Sequence, residues 1–94
     1  MTIKILDLAG EFAENKDIAR DIRVKKIMPV LAKKEQITLN FSGVSGATQS
    51  FMHALISDVI RKYSSDVFDL ILFKDCSPVV KEVVNIVAEY MQES

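Results

Sequence analysis

The sequence predicts a single α/β domain in which a mostly parallel β-sheet is packed with about three helices. Three observations predict it. Strand-like and helix-like apolar periods alternate along the chain, in the order strand, helix, strand, helix, strand, helix. The 94 residues are enough for one core, and no repeat, low-complexity tract or linker divides them. The run Phe68-Asp69-Leu70-Ile71-Leu72-Phe73 is almost all apolar, as a strand covered on both faces of a parallel sheet would be.

The first strand is expected over Ile3–Leu8, ended by Gly10, with the polar run Glu14–Asp17 leading into a helix. In that helix Val24, Ile27, Met28 and Leu31 share a face, while Ile18 and Ile22 fall on another side of a straight helix. Pro29 removes a backbone donor and crowds the preceding turn, so a kink or two short helices are expected between Asp17 and Lys34. The second strand, Gln36–Phe41, alternates Ile37, Leu39 and Phe41 with Thr38 and Asn40. Ser42–Thr48 is rich in turn formers. The second helix covers Gln49–Tyr63, with Phe51, Met52, Leu55, Ile56, Val59 and Tyr63 inward and His53, Ser57, Asp58 and Arg61 outward. After the third strand, Ser77 suits an N-cap and Pro78 the first helical position. The last helix then carries Val79, Val80, Val83, Val84, Val87, Tyr90 and Met91 on its apolar side, and Lys81, Asn85, Glu89 and Gln92 on its wet side. Right-handed crossovers join the strands, and Glu11–Glu14 leaves room for a further short one.

Composition narrows the function. Twelve basic and thirteen acidic residues leave a formal charge of −1, a poor electrostatic footprint for nucleic acid. The bases between Arg20 and Lys34 lie among or beside Asp17, Asp21 and Glu35 and read as a solvated helix face. Cys76 is the single cysteine, which excludes an intrachain disulfide and fits a reducing compartment. The N-terminus lacks the basic, apolar and cleavage segments of a signal peptide, and no apolar run approaches the ~20 residues of a membrane span. A soluble cytoplasmic protein without membrane contact is expected.

Chemistry-bearing residues are few. With Thr48 as cap, Ser50 lies in the first turn of the second helix, where free N–H groups and the helix dipole favour an anion. A phosphate there would add a charge of about −1.5 to −2 without unfolding the domain. Help in capping explains a first-turn serine equally well. Gly43 and Gly46 match neither phosphate-binding fingerprint and read as turn residues with unusual backbone angles. Cys76 stands before a helix N-terminus, where a thiol pKa can fall, but the lone His53 is expected on another helix's outer face. A structural cysteine fits better. One His and one Cys make no metal set; Glu11, Glu14, Asp17 and Asp21 read as surface charges; Met28, Met52 and Met91 read as core. The sequence therefore implies no cofactor, no metal and no enzyme.

Three segments carry a resemblance. Ile37-Thr38-Leu39-Asn40-Phe41-Ser42-Gly43-Val44, the Ser50-Phe51 step opening a helix, and Phe73-Lys74-Asp75-Cys76-Ser77-Pro78-Val79-Val80-Lys81 resemble, in order and spacing, the STAS-like family of small bacterial proteins. That family is related to the STAS anti-sigma-factor antagonists. The resemblance covers about residues 36–92 and implies a regulatory role. Such antagonists bind a kinase-like partner through the loop and helix after this strand, and a serine at the helix start is phosphorylated to break the complex. An ungapped overlay puts Ser50 at that position, Thr48 where the antagonists carry Asp, and Phe51 where they carry Gly. Both departures bear on which kinase would recognise the site.

Two functional readings follow. In the first, a protein partner, by resemblance a kinase-like ATPase or an anti-sigma factor, meets Ser42, Gly43, Ser45, Gly46, Thr48, Gln49, Ser50 and His53, with Ser50 as candidate phosphoacceptor. In the second, the chain is a small-molecule or nucleotide-binding module, because the strand ends leading into Ser42–Thr48 and Lys74–Ser77 would line one crevice.

Overall fold

The computed structural model describes residues 1–93, and the side chains of all of these except Ser65, Gln92 and Glu93. The outward position expected for Gln92 thus lies outside the described side chains. In chain order the elements are β1 (Thr2–Lys4), α1 (Ile5–Ala9), β2 (Phe12–Ala13), α2 (Lys16–Ile22), a π-helical turn (Arg23–Ile27), α3 (Met28–Ala32), β3 (Ile37–Asn40), β4 (Gly46–Ala47), α4 (Gln49–Tyr63), a 3₁₀ turn (Ser64–Asp66), α5 (Val67–Leu70), β5 (Ile71–Lys74) and α6 (Pro78–Glu93). All strand pairs are parallel. A three-stranded sheet has the order β1-β3-β5, and β2 pairs with β4 in a separate two-stranded sheet. Three main helical units, α2 to α3, α4 and α6, accompany these sheets, so the α/β class holds.

The register decides what each side chain does. Ile3, Leu39 and Phe73 share one row, and Lys4, Asn40 and Lys74 the next. Ile3, Ile37, Leu39 and Ile71 are buried, while Thr2, Lys4, Leu72 and Lys74 are exposed. One sheet face therefore meets the helices and the other is open. This corrects the two-face burial expected of Phe68–Phe73: Leu72 is 45% exposed, and Phe68 to Leu70 belong to the helical turn α5. A short apolar run has no period of its own, so helix and strand look alike in it until pairing selects one.

The first strand is also shorter than its apolar pattern. It stops at Lys4, opposite the last residue of β3. The chain then makes the helical turn α1, closed where Gly10 at φ +81° donates its N–H to the Leu6 carbonyl. Glu11–Glu14 does hold a strand, and it pairs with β4 inside the expected turn Ser42–Thr48.

Asn15 caps α2, its Oδ1 accepting from the N–H groups of Asp17 and Ile18 at 2.9 and 3.3 Å. The expected interruption before Pro29 is the π turn. A proline cannot donate to the preceding turn, and a wider turn absorbs that gap without breaking the helix. Its i to i+5 bonding also resets the angular register. Ile22 and Ile27, five residues apart, are both buried, and Val24 turns outward against the periodic expectation.

Helix α4 lies between α2 and α6. Phe51, Met52, Leu55, Ile56 and Val59 are fully or almost fully buried. Ser57, expected to face solvent, is only 4% exposed, because neighbours cover both flanks of this helix. Arg23 ties the π turn to α4: its Nη1 donates to the Ala54 carbonyl at 2.7 Å and lies 3.3 Å from an Asp58 carboxylate oxygen. On α6, Val80, Val84 and Val87 are buried, but Val79 and Tyr90 are not.

Candidate functional site

The site grows from the C-terminal end of β3. The Asn40 carboxamide oxygen accepts from Ser42 N–H at 2.8 Å, and Val44 N–H donates to the Phe41 carbonyl at 2.9 Å. These bonds bend the chain sharply at Gly43, whose φ is +82°. A Cβ on Gly43 would stand 2.7 Å from Leu6 Cδ2, so both conformation and space call for glycine. Beyond it, Ser45 donates both N–H and hydroxyl to the Glu11 carbonyl, at 2.7 and 3.0 Å, and Thr48 N–H donates to the Ala13 carbonyl at 2.9 Å. The loop is thus pinned to the segment that precedes α2.

That segment adds what the sequence reading did not single out. Leu6 packs on Gly43, and the Phe12 ring lies 3.1 Å from where a Cβ of Gly46 would be. Yet Leu6, Leu8 and Phe12 all remain exposed, Phe12 by 52%. The sequence signal was present but unread: three large apolar residues between Leu6 and Phe12 exceed what one short strand buries on one face. Gly46 corrects the contact set expected from the loop. It is buried in β4 under Phe12, has no left-handed backbone, and presents no surface to a partner.

The start of α4 completes the face. Thr48 Oγ1 accepts from Phe51 N–H at 3.1 Å, so Thr48 is the cap and is half-buried by that role. Ser50 sits in the first turn, exposed, and among the described residues nothing hydrogen-bonds its hydroxyl. Capping therefore does not account for Ser50. A shallow hollow of about 420 Å³ is lined by Lys16, Gln49, Ser50, His53 and Ala54. His53 is exposed, with its ring centroid 6.2 Å from that of Tyr90. Ser42, Gly43, Ser45, Gln49, Ser50 and His53 are thus all on the surface.

The two strand-end loops also meet. Phe41–Ser45 and Asp75–Ser77 line a common open hollow of about 680 Å³. Lys4, Leu6, Asp7, Asn40, Ser42 and Asp75 line a neighbouring one of about 320 Å³. Cys76 is half-buried here, and its thiol pKa is raised, first by burial and then by the Asp75 carboxylate, with Lys81 opposing. Desolvation outweighs any helix-terminus effect, so the thiol is protonated at neutral pH and is a poor nucleophile.

Comparison with known proteins agrees with this architecture. The family described as a STAS-like domain of unknown function (DUF4325) matches residues 19–81, about two thirds of the chain. The chain belongs to that family. No curated protein and no solved structure matches it. The matched stretch contains the loop, Ser50 and Cys76-Ser77-Pro78, whereas Leu6, Leu8 and Phe12 precede it.

Proposed function

We propose that this chain is a non-catalytic regulatory domain that acts by binding another protein through the loop after β3, the apolar rim of Leu6 and Phe12, and the start of α4. The observation that carries this reading is the rim: Leu6 seated on Gly43 and Phe12 seated on Gly46, both exposed, form an apolar centre. Ser42, which lines a hollow with Leu6, and Ser45, bonded to Glu11 next to Phe12, give it a polar margin, the anatomy of a protein contact. Among the described residues no helix is long and apolar enough to cross a membrane. A cytoplasmic role suits the single half-buried thiol.

Ser50 is the proposed switch. Its free, exposed hydroxyl accepts a phosphate without disturbing a cap, and the added charge lands at the start of α4 beside Lys16 and His53. By the kinship of STAS-like domains with anti-sigma-factor antagonists, the partner is a kinase-like ATPase or an anti-sigma factor. Affinity capture from native cells, with mass spectrometry of bait and partners, tests this. A partner retained by the wild type and lost by Phe12→Asp and by Ser50→Asp is the expected outcome. Capture unaffected by Phe12→Asp would remove the rim from the interface, and capture unaffected by Ser50→Asp would remove the switch.

The hollow shared by Phe41–Ser45 and Asp75–Ser77 favours a second reading, a small molecule or nucleotide at the strand ends. A thermal-shift screen with nucleotides decides it, since a ligand at about 100 times its dissociation constant stabilises by ~2.7 kcal/mol.

A further inference from the structure

Helix α6 has two apolar faces, and among the described residues one of them stays largely uncovered. Val80, Val84 and Val87 are buried in the core. Val79, Val83, Ile86 and Tyr90, spaced four, three and four residues apart, form a second stripe. Val79 is 55%, Ile86 39% and Tyr90 63% exposed, and Val83 is half-buried. This is the spacing of a helix-pairing seam, sustained along almost the whole helix. The opposite flank of α6 carries Lys81, Asn85 and Ala88 and faces the hollow along β5, so the stripe lies on the other side, where Tyr90 approaches His53 of α4.

The charges beside the stripe select its occupant. Glu82 and Glu89 border it on the side away from the core; both are exposed, and among the described residues neither forms an ion pair. The other border is Val80 and Val87, already buried. A second copy docked antiparallel would set the Glu82 and Glu89 rows against each other, and one docked parallel would meet no charged row at all. An anionic lipid surface is repelled by the same two carboxylates.

We infer that the Val79–Tyr90 stripe of α6 is a docking surface for an amphipathic helix of a partner protein, whose apolar stripe is flanked by lysine or arginine to face Glu82 and Glu89. The surface adjoins the start of α4 where Tyr90 meets His53, but it does not depend on the regulatory reading of Ser50.

The test uses the whole chain and two labelled synthetic helical peptides of about three heptads. They share one apolar stripe and differ only in lysine or glutamate flanks. Fluorescence anisotropy is expected to show the lysine-flanked peptide binding at least ~10-fold more tightly, the difference a net ~1.4 kcal/mol makes. Ile86→Asp is expected to abolish binding, with circular dichroism confirming that this surface change leaves the fold intact. Glu82→Lys combined with Glu89→Lys is expected to reverse the preference. Equal binding of both peptides, binding of neither, or retained binding by Ile86→Asp would overturn the proposal. So would a concentration-dependent dimer that Ile86→Asp returns to monomer, which would assign the stripe to a second copy.

Discussion

The two helices that follow the sheet, α4 and α6, start in the same way and end in different uses. Each begins after a parallel strand and a loop, and each is capped by a hydroxyl three residues before a buried side chain. Thr48 Oγ1 accepts from Phe51 N–H at 3.1 Å, and Ser77 Oγ from Val80 N–H at 3.2 Å. The third helical residue, Phe51 or Val80, plugs the core in both. The second helical residue differs: Ser50 on α4, Val79 on α6. Both are exposed, so neither is set by packing. The comparison teaches that the cap and plug are general folding chemistry, while the spare position between them is where each helix acquires a surface role: a hydroxyl beside the loop in one, the head of an apolar stripe in the other.

The plugs should give the largest effects. Phe51→Ala is expected to cost about 3–5 kcal/mol and Val80→Ala roughly 1.5–3 kcal/mol in urea unfolding. Against a total of about 5–15 kcal/mol for a small domain, the first leaves little margin. Equal costs would break the ranking by buried volume.

The caps come next. Thr48→Ala and Ser77→Ala should each lose about 1 kcal/mol, whereas Ser50→Ala should stay within about 0.5 kcal/mol of wild type. A Ser50→Ala loss as large as that of Thr48→Ala would make Ser50 part of the cap and end its claim to a spare hydroxyl.

A charge at the spare positions sharpens the parallel further. Ser50→Asp and Val79→Asp each place an anion in a first helical turn and should gain about 0.3–1 kcal/mol at low ionic strength, fading with added salt. Thermal melts at two salt concentrations check this, and a salt-independent gain would count against the dipole as its source.

The smallest effect concerns Cys76, just before the second cap. Burial and Asp75 raise its folded pKa above the unfolded value. The folded state then holds the thiol proton more tightly, so this contribution to stability is full below the ordinary thiol pKa and is lost as pH rises through the folded one. Stability should decline more in alkaline solution for the wild type than for Cys76→Ser, while around neutral pH and below the two curves should run parallel. Iodoacetamide should modify the folded thiol more slowly than an unfolded peptide's.

Much of this was legible in the residues. The bounds of α4, the Thr48 cap, the Ser77-Pro78 start of α6 and the core positions of Ile37, Leu39 and Phe41 follow from local rules, because capping and periodicity act within a few residues. The position of Ser50, exposed in a first helical turn, was legible for the same reason. The apolar rim was not, since Leu6 and Phe12 meet Gly43 and Gly46 across more than thirty residues of chain.

By itself the sequence determined the alternation of strand and helix, hence a parallel α/β domain, both ends of α4 and the start of α6. Only the tertiary structure decided where β1 stops, that Phe68–Leu70 is a helical turn, that Ser57 is buried, and that Val79 and Tyr90 face outward while Val80 and Val87 face inward. The physical reason is that an apolar residue states a preference to be covered but not by what. Strand length is set by the partner strand, burial of a polar residue by the helices on either side, and the free face of an amphipathic helix by which of its apolar positions the core has room to accept.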